Sequence, residues 1–111
     1  MDVNHVILSG TLIRNPEIRY NPKGNPVITF TIAFSHPSKN VSKTEGEKSY
    51  IDVIALGSSL DNFRDVLQEG RRVLVNGRLK QRRWTSPEGM SRNRLEVLAD
   101  RIHYLEKEEK E

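Results

Sequence analysis

Cysteine is absent from this 111-residue chain, and aromatic residues are scarce: one tryptophan, three tyrosines and three phenylalanines. Without cysteine, neither a disulfide framework nor a thiolate metal site can form, and nothing asks for an oxidising compartment. Long hydrophobic runs are missing as well. The N-terminal "MDVNHVILSGTLIR" has an acid at position 2 and only three consecutive apolar residues, too few for a signal peptide or a membrane span. The expected setting is the cytoplasm. The three histidines, His5, His36 and His103, are scattered, and Asp52, Asp61, Asp65, Glu96 and Asp100 fall at no metal-ligand spacing. No enzymatic activity, cofactor or metal is therefore expected.

What is present is positive charge, unevenly placed. The formal charge is +3, but the terminal "EKEEKE" is acidic, so residues 1 to 105 carry 16 positive against 11 negative groups. Between Arg71 and Arg94 stand eight basic residues and a single acid, Glu88. Such a local field attracts polyanions. The length suits one domain, expected over residues 1–105, followed by a charged and disordered end over 106–111.

Alternation predicts strands. "HVILSGTLIR" (5–14) is β-rich and holds Gly10, where a strand can bend. "NPEIRYNPKGNP" (15–26) is a turn-rich connection with an extended piece around Ile18 to Tyr20. "VITFTIAFS" (27–35) sets Ile28, Phe30, Ile32 and Phe34 on one face, and "YIDVIALG" (50–57) is a further strand. Residues 36–49 form a polar loop carrying Lys39, Lys43 and Lys48. In "SSLDNFRDVLQEG" (58–70), Leu60, Phe63 and Leu67 recur at helical spacing and Gly70 is a stop. "RRVLVNGRLKQRRW" (71–84) and "RLEVLADRIHYL" (94–105) are strands joined by the Pro- and Gly-containing loop "TSPEGMSRN" (85–93). Three strands, one helix and two strands make an all-β chain with one helix. A small sheet of this kind disposes of its edges by closing. The expected architecture is a five-stranded Greek-key OB-fold barrel, with the helix between the third and fourth strands.

Parity then sorts the faces. Along 71–84, Val73, Val75, Gly77 and Leu79 share one side; Arg72, Lys80, Arg82 and Trp84 share the other. The tryptophan thus lies with cations rather than with valines. Tyr50, Asp52, Ile54 and Leu56 likewise share a face, and the aspartate marks it as the outer one. Single-stranded nucleic acid is bound by cations that follow phosphates and flat rings on which bases stack. Trp84, with Lys80, Arg82 and Arg83 beside it and Arg92 and Arg94 on the returning strand, offers both. The plainer alternative is a tryptophan packed beneath solvated arginine stems. For the loop lysines, Lys43 among them, the choice lies between phosphate contacts and simple solvation.

From residue 4 to 105 the chain resembles the bacterial-type single-stranded DNA-binding protein (SSB) family. The resemblance rests on "NHVILSGTLIRNPEIRYNPKGNPVITFTIAFS", "YIDVIALGSSLDNF", "GRRVLVNGRLKQRRWTSPEG" and "RLEVLADRIHYL". It implies sequence-independent binding of single-stranded DNA in replication, recombination and repair, self-assembly into a homotetramer or dimer around the first strand, and recruitment of replication and repair proteins. The family's tryptophan after a basic run is matched by Trp84, and its aromatic at the opening of the third strand by Tyr50. Some members carry an aromatic where this chain has Leu56, others a tryptophan in the long loop, and often a basic residue where Ser58 stands. Typical members also continue into an acidic recruiting tail, whereas this sequence ends at "EKEEKE". Those departures keep an alternative open: a PriB-type primosomal replication-restart adaptor that also binds single-stranded DNA.

Overall fold

The computed structural model describes residues 1–36, 47–56 and 66–106. Six strands are present: β1 (Val6–Leu12), β2 (Glu17–Tyr20), β3 (Pro26–His36), β4 (Glu47–Leu56), β5 (Arg72–Thr85) and β6 (Ser91–Leu105). Their order in the sheet is β1-β5-β6-β4-β3-β2, and an additional β1–β3 pairing joins the ends. Five strands therefore close a ring, in which every pairing is antiparallel except β4 with β6. β2 stands outside the ring. It pairs with Pro26–Thr29 of β3, along the edge that β1 meets further on at Ile32 and Ala33. The extended piece expected at Ile18 to Tyr20 is this short strand.

Alternation puts Ile28, Phe30 and Ile32 of β3, Val53 of β4, Val73 and Val75 of β5 and Val97 of β6 inside, where they pack with Leu12 and Leu67. Full burial of such side chains contributes about 1.5–3 kcal/mol each. Residues 58–65 of the expected helix lie outside the described residues, but its last apolar position, Leu67, is in the core. Gly70 adopts φ +86° and donates its N–H to the Leu12 carbonyl at 2.9 Å, a left-handed conformation that glycine takes without Cβ strain. No helix among the described residues is long and apolar enough to cross a membrane.

Two glycines let strands cross closely. A Cβ on Gly10 would lie 2.6 Å from the Ala33 carbonyl oxygen, and one on Gly77 would strike the Leu98 carbonyl. At Gly77 the β5–β6 register shifts: Asn76 faces Arg101 and Gly77 faces Ala99, so the extra residue, Asp100, belongs to β6. The parity of β5 thus runs unbroken from Arg72 to Trp84.

The β5–β6 hairpin begins three residues earlier on its returning strand than expected, because Ser91, Arg92 and Asn93 pair with Thr85, Trp84 and Arg83. Polar composition hides strand there, since the hairpin end projects beyond the core and both its faces meet water. β4 starts at Glu47 rather than residue 50 for the same reason. The turn is rigidly built. Ser86 N–H bonds to the Met90 carbonyl at 2.8 Å, Gly89 N–H to the Ser86 carbonyl at 2.9 Å, and Gly89 adopts φ +83°. "NPKGN" between β2 and β3 repeats this design: Asn21 and Asn25 are joined at 2.9 Å, Gly24 bonds back to Asn21 at 2.8 Å, and its φ is +84°. In both loops proline precedes the glycine by two residues, presetting φ where the turn begins.

Candidate nucleic-acid interface

Cross-strand pairing on the outer face of the β5–β6 hairpin sets Trp84 opposite Arg92, Arg82 opposite Arg94 and Lys80 opposite Glu96. Trp84 is 40% exposed, and the guanidinium carbon of Arg82 lies 4.6 Å from its ring centroid. That distance is within the range of a cation–π contact. The ring borders a cleft of about 450 Å³ shared with Arg83, Arg92 and Asn93. Arg83 is oriented by Gln81, whose Oε1 accepts from its Nε at 3.0 Å and its Nη2 at 2.7 Å.

A second and larger concavity runs beside the hairpin. A cleft of about 640 Å³ is lined by Tyr50 and Asp52 of β4, Thr29 and Thr31 of β3, Arg19 of β2, and Arg82 and Arg94. It continues into a cleft of about 290 Å³ that adds Tyr20, Ile54 and Glu96. The groove therefore crosses β6, β4, β3 and β2, with Tyr50, 60% exposed, near one end and Tyr20 near the other. Cations line its walls and carboxylates its floor.

The floor is tightly bonded. Asp52 accepts from the Thr31 hydroxyl at 2.6 Å and pairs with Arg94 at 3.3 Å. Glu96, 2% exposed, accepts from Nε of Arg82 at 3.1 Å, while its Oε1 is buried without a partner among the described residues. Lys80 and Arg92 make no ion pair among the described residues. The exposed stacking surface and the unpaired cations thus gather at the hairpin, and the paired cations border the groove. Among the described residues no group of three or more histidine, aspartate or glutamate side chains is arranged to hold a metal.

Of the residues singled out from the sequence, Trp84, Arg82, Arg83, Lys80, Arg92 and Arg94 come together on the hairpin, and Tyr50 joins them across the groove. Leu56 is exposed, but it sits at the far end of β4, six residues from Tyr50. Arg72 is apart. Twelve residues of strand at roughly 3.3 Å each separate it from Trp84, and it lines a different cleft with Thr11, Phe34 and Lys48. Lys39 and Lys43 lie outside the described residues. Arg19 and Tyr20 escaped the sequence reading, and so did the pairing of Asp52 and Glu96 with arginines. A signal for Arg19 was present, since Ile18 packs inward against the core and alternation turns Arg19 the other way, whereas Tyr20 shares the parity of Ile18 and alternation does not mark it.

The chain is 37% identical to the single-stranded DNA-binding protein of Thermotoga maritima, over 94% of this chain and 74% of that protein. It is 33% identical to the protein of the same name from Treponema pallidum, over 94% of this chain and 58% of that one. Single-stranded DNA-binding protein 2 of Chlorobaculum tepidum is 33% identical over 98% and 75%. The structure of a Plasmodium falciparum SSB complex with ssDNA superposes with a TM-score of 0.82 at 21% identity, covering 96% of this chain and 97% of that one, so the two share a fold. Residues 3–105 match the Single-strand binding protein family, to which this chain belongs.

Proposed function

We propose that this protein binds single-stranded DNA without sequence preference, in DNA replication, recombination and repair, and that it does so without catalysis. The observation that carries the reading is the convergence of an exposed tryptophan with five cations on one hairpin. Trp84 stacks a base; Lys80, Arg83 and Arg92 meet phosphates; Tyr50 stacks a further base where the strand enters the groove. Arg82 and Arg94 border both regions. Leu56 offers apolar contact at the far end of β4, Arg72 a basic contact for longer strands, and Lys43 a contact from the segment between β3 and β4.

The working unit is one OB domain over residues 1–105 followed by a charged end. It assembles with copies of itself into a dimer or homotetramer in the cytoplasm, near the nucleoid, where replication and repair proteins are its further partners. Stacking tolerates any base, and phosphate contacts carry no sequence information, so the arrangement supports non-specific binding. The test is titration of labelled oligo-dT and of duplex of equal length over a series of salt concentrations. The expected result is preference for the single strand, with log affinity falling linearly against log salt by about 0.7 per phosphate neutralised. Equal affinity for both forms, or no binding at low salt, overturns the reading.

A further inference from the structure

Of Lys80, Arg82, Arg83, Arg92 and Arg94, the five cations nearest Trp84 along the hairpin, Arg82 and Arg94 are already neutralised within the protein, and the two pairs are not alike. Arg94 reaches Asp52 at 3.3 Å, but Asp52 also holds the Thr31 hydroxyl and keeps some exposure. Glu96 has no such second partner. Its side chain is 3% exposed, one oxygen takes Nε of Arg82 at 3.1 Å and the other has no partner among the described residues. If a phosphate drew Arg82 away, a buried carboxylate would be left unpaired, which is strongly unfavourable. A phosphate could thus be neutralised by Arg82 only at the cost of baring that carboxylate. Meanwhile the same guanidinium lies against the indole of Trp84, whose other boundary is the cleft shared with Arg83 and Arg92.

We propose that Glu96 is a positioning residue for the DNA site: it holds Arg82 on the Trp84 ring and withholds it from phosphate. Arg82 then backs the indole, bases stack from the side of Arg83 and Arg92, and phosphate neutralisation falls to Lys80, Arg83 and Arg92. This rests on the single-stranded DNA reading above.

The salt dependence of oligo-dT binding separates the roles, because a merely structural residue does not change how many phosphates are neutralised. The slope should become steeper by about 0.7 in Glu96→Gln, where Arg82 is freed, and shallower by about 0.7 in Arg83→Gln. The double variant Arg82→Gln, Glu96→Gln leaves no buried charge unpaired, and its slope should equal that of the unsubstituted protein. In Glu96→Gln the emission of free Trp84 should also shift, since the cation no longer lies on its ring. An unchanged slope in Glu96→Gln, or a shallower slope in the double variant, overturns the proposal while leaving single-strand binding intact. Failure of the unsubstituted protein to bind oligo-dT overturns the functional reading itself.

Discussion

Asp52 of β4 and Glu96 of β6 are register partners in the one parallel pairing described in the sheet. Two carboxylates therefore lie side by side on the floor of a groove whose walls are basic, and each is bound by an arginine of the hairpin. Their attraction to those arginines holds the cations in place above the sheet, so the guanidinium groups are ordered before any ligand arrives. Order of that kind lowers the entropy lost on binding.

Trp84→Ala should weaken oligo-dT binding by about 1–3 kcal/mol for the base stacked there. The ring is exposed and remote from the core, so the melting temperature should hardly move. Affinity titration and thermal melting of the same sample check both halves.

Arg92→Ala and Arg72→Ala should behave differently on a short oligonucleotide. Arg92 faces Trp84 across the hairpin and has no ion pair among the described residues, so its loss should weaken binding and make the salt slope shallower by about 0.7. Arg72 stands at the other end of β5, and its replacement should leave the affinity for a strand of about eight nucleotides unchanged, a length within the site of one OB-fold.

Gly77→Ala should destabilise the fold by about 1–3 kcal/mol, the usual cost of forcing an extra carbon into a packed place. The new methyl would meet the Leu98 backbone, which cannot move without breaking the β5–β6 ladder. Gly89→Ala, at φ +83° but with open space around it, should cost about 1–2 kcal/mol through backbone strain alone. Urea denaturation of the two variants distinguishes these cases.

Tyr104 should make stability fall at alkaline pH. Burial raises its phenol above the ordinary value near 10, and the nearby Arg71 guanidinium, 5.5 Å from the ring, pulls the other way. The folded chain therefore keeps the proton that the unfolded chain gives up. Stability is complete below about pH 10 and declines as pH rises towards the folded pKa. Because the hydroxyl is buried without a partner among the described residues, Tyr104→Phe should retain stability at neutral pH and remove this alkaline decline. Chemical denaturation at several pH values reads both.

Much of this was legible in the residues, for identifiable reasons. The side on which Trp84 lies follows from alternation because the irregularity at Gly77 adds its residue to β6 and spares β5. Tyr50 and Leu56 face outward, as Asp52 between them suggests, while Val53 and Ala55 are buried. The polar start of the returning strand, Ser91 to Asn93, was not legible as strand, since neither of its faces is covered. Nor were the Arg82–Glu96 and Arg94–Asp52 pairs. The floor they bind depends on a parallel contact between residues 44 apart in sequence, and periodicity within one strand carries no information about which distant strand lies beside it.

Trp84 is the sole tryptophan, so its fluorescence reports on one point of the surface. Titration with oligo-dT at low salt should quench that emission strongly and saturably, and added salt should restore it as the strand dissociates. Saturable binding measured on the DNA, with tryptophan emission unchanged throughout, would contradict the assignment of Trp84 as the surface on which bases stack.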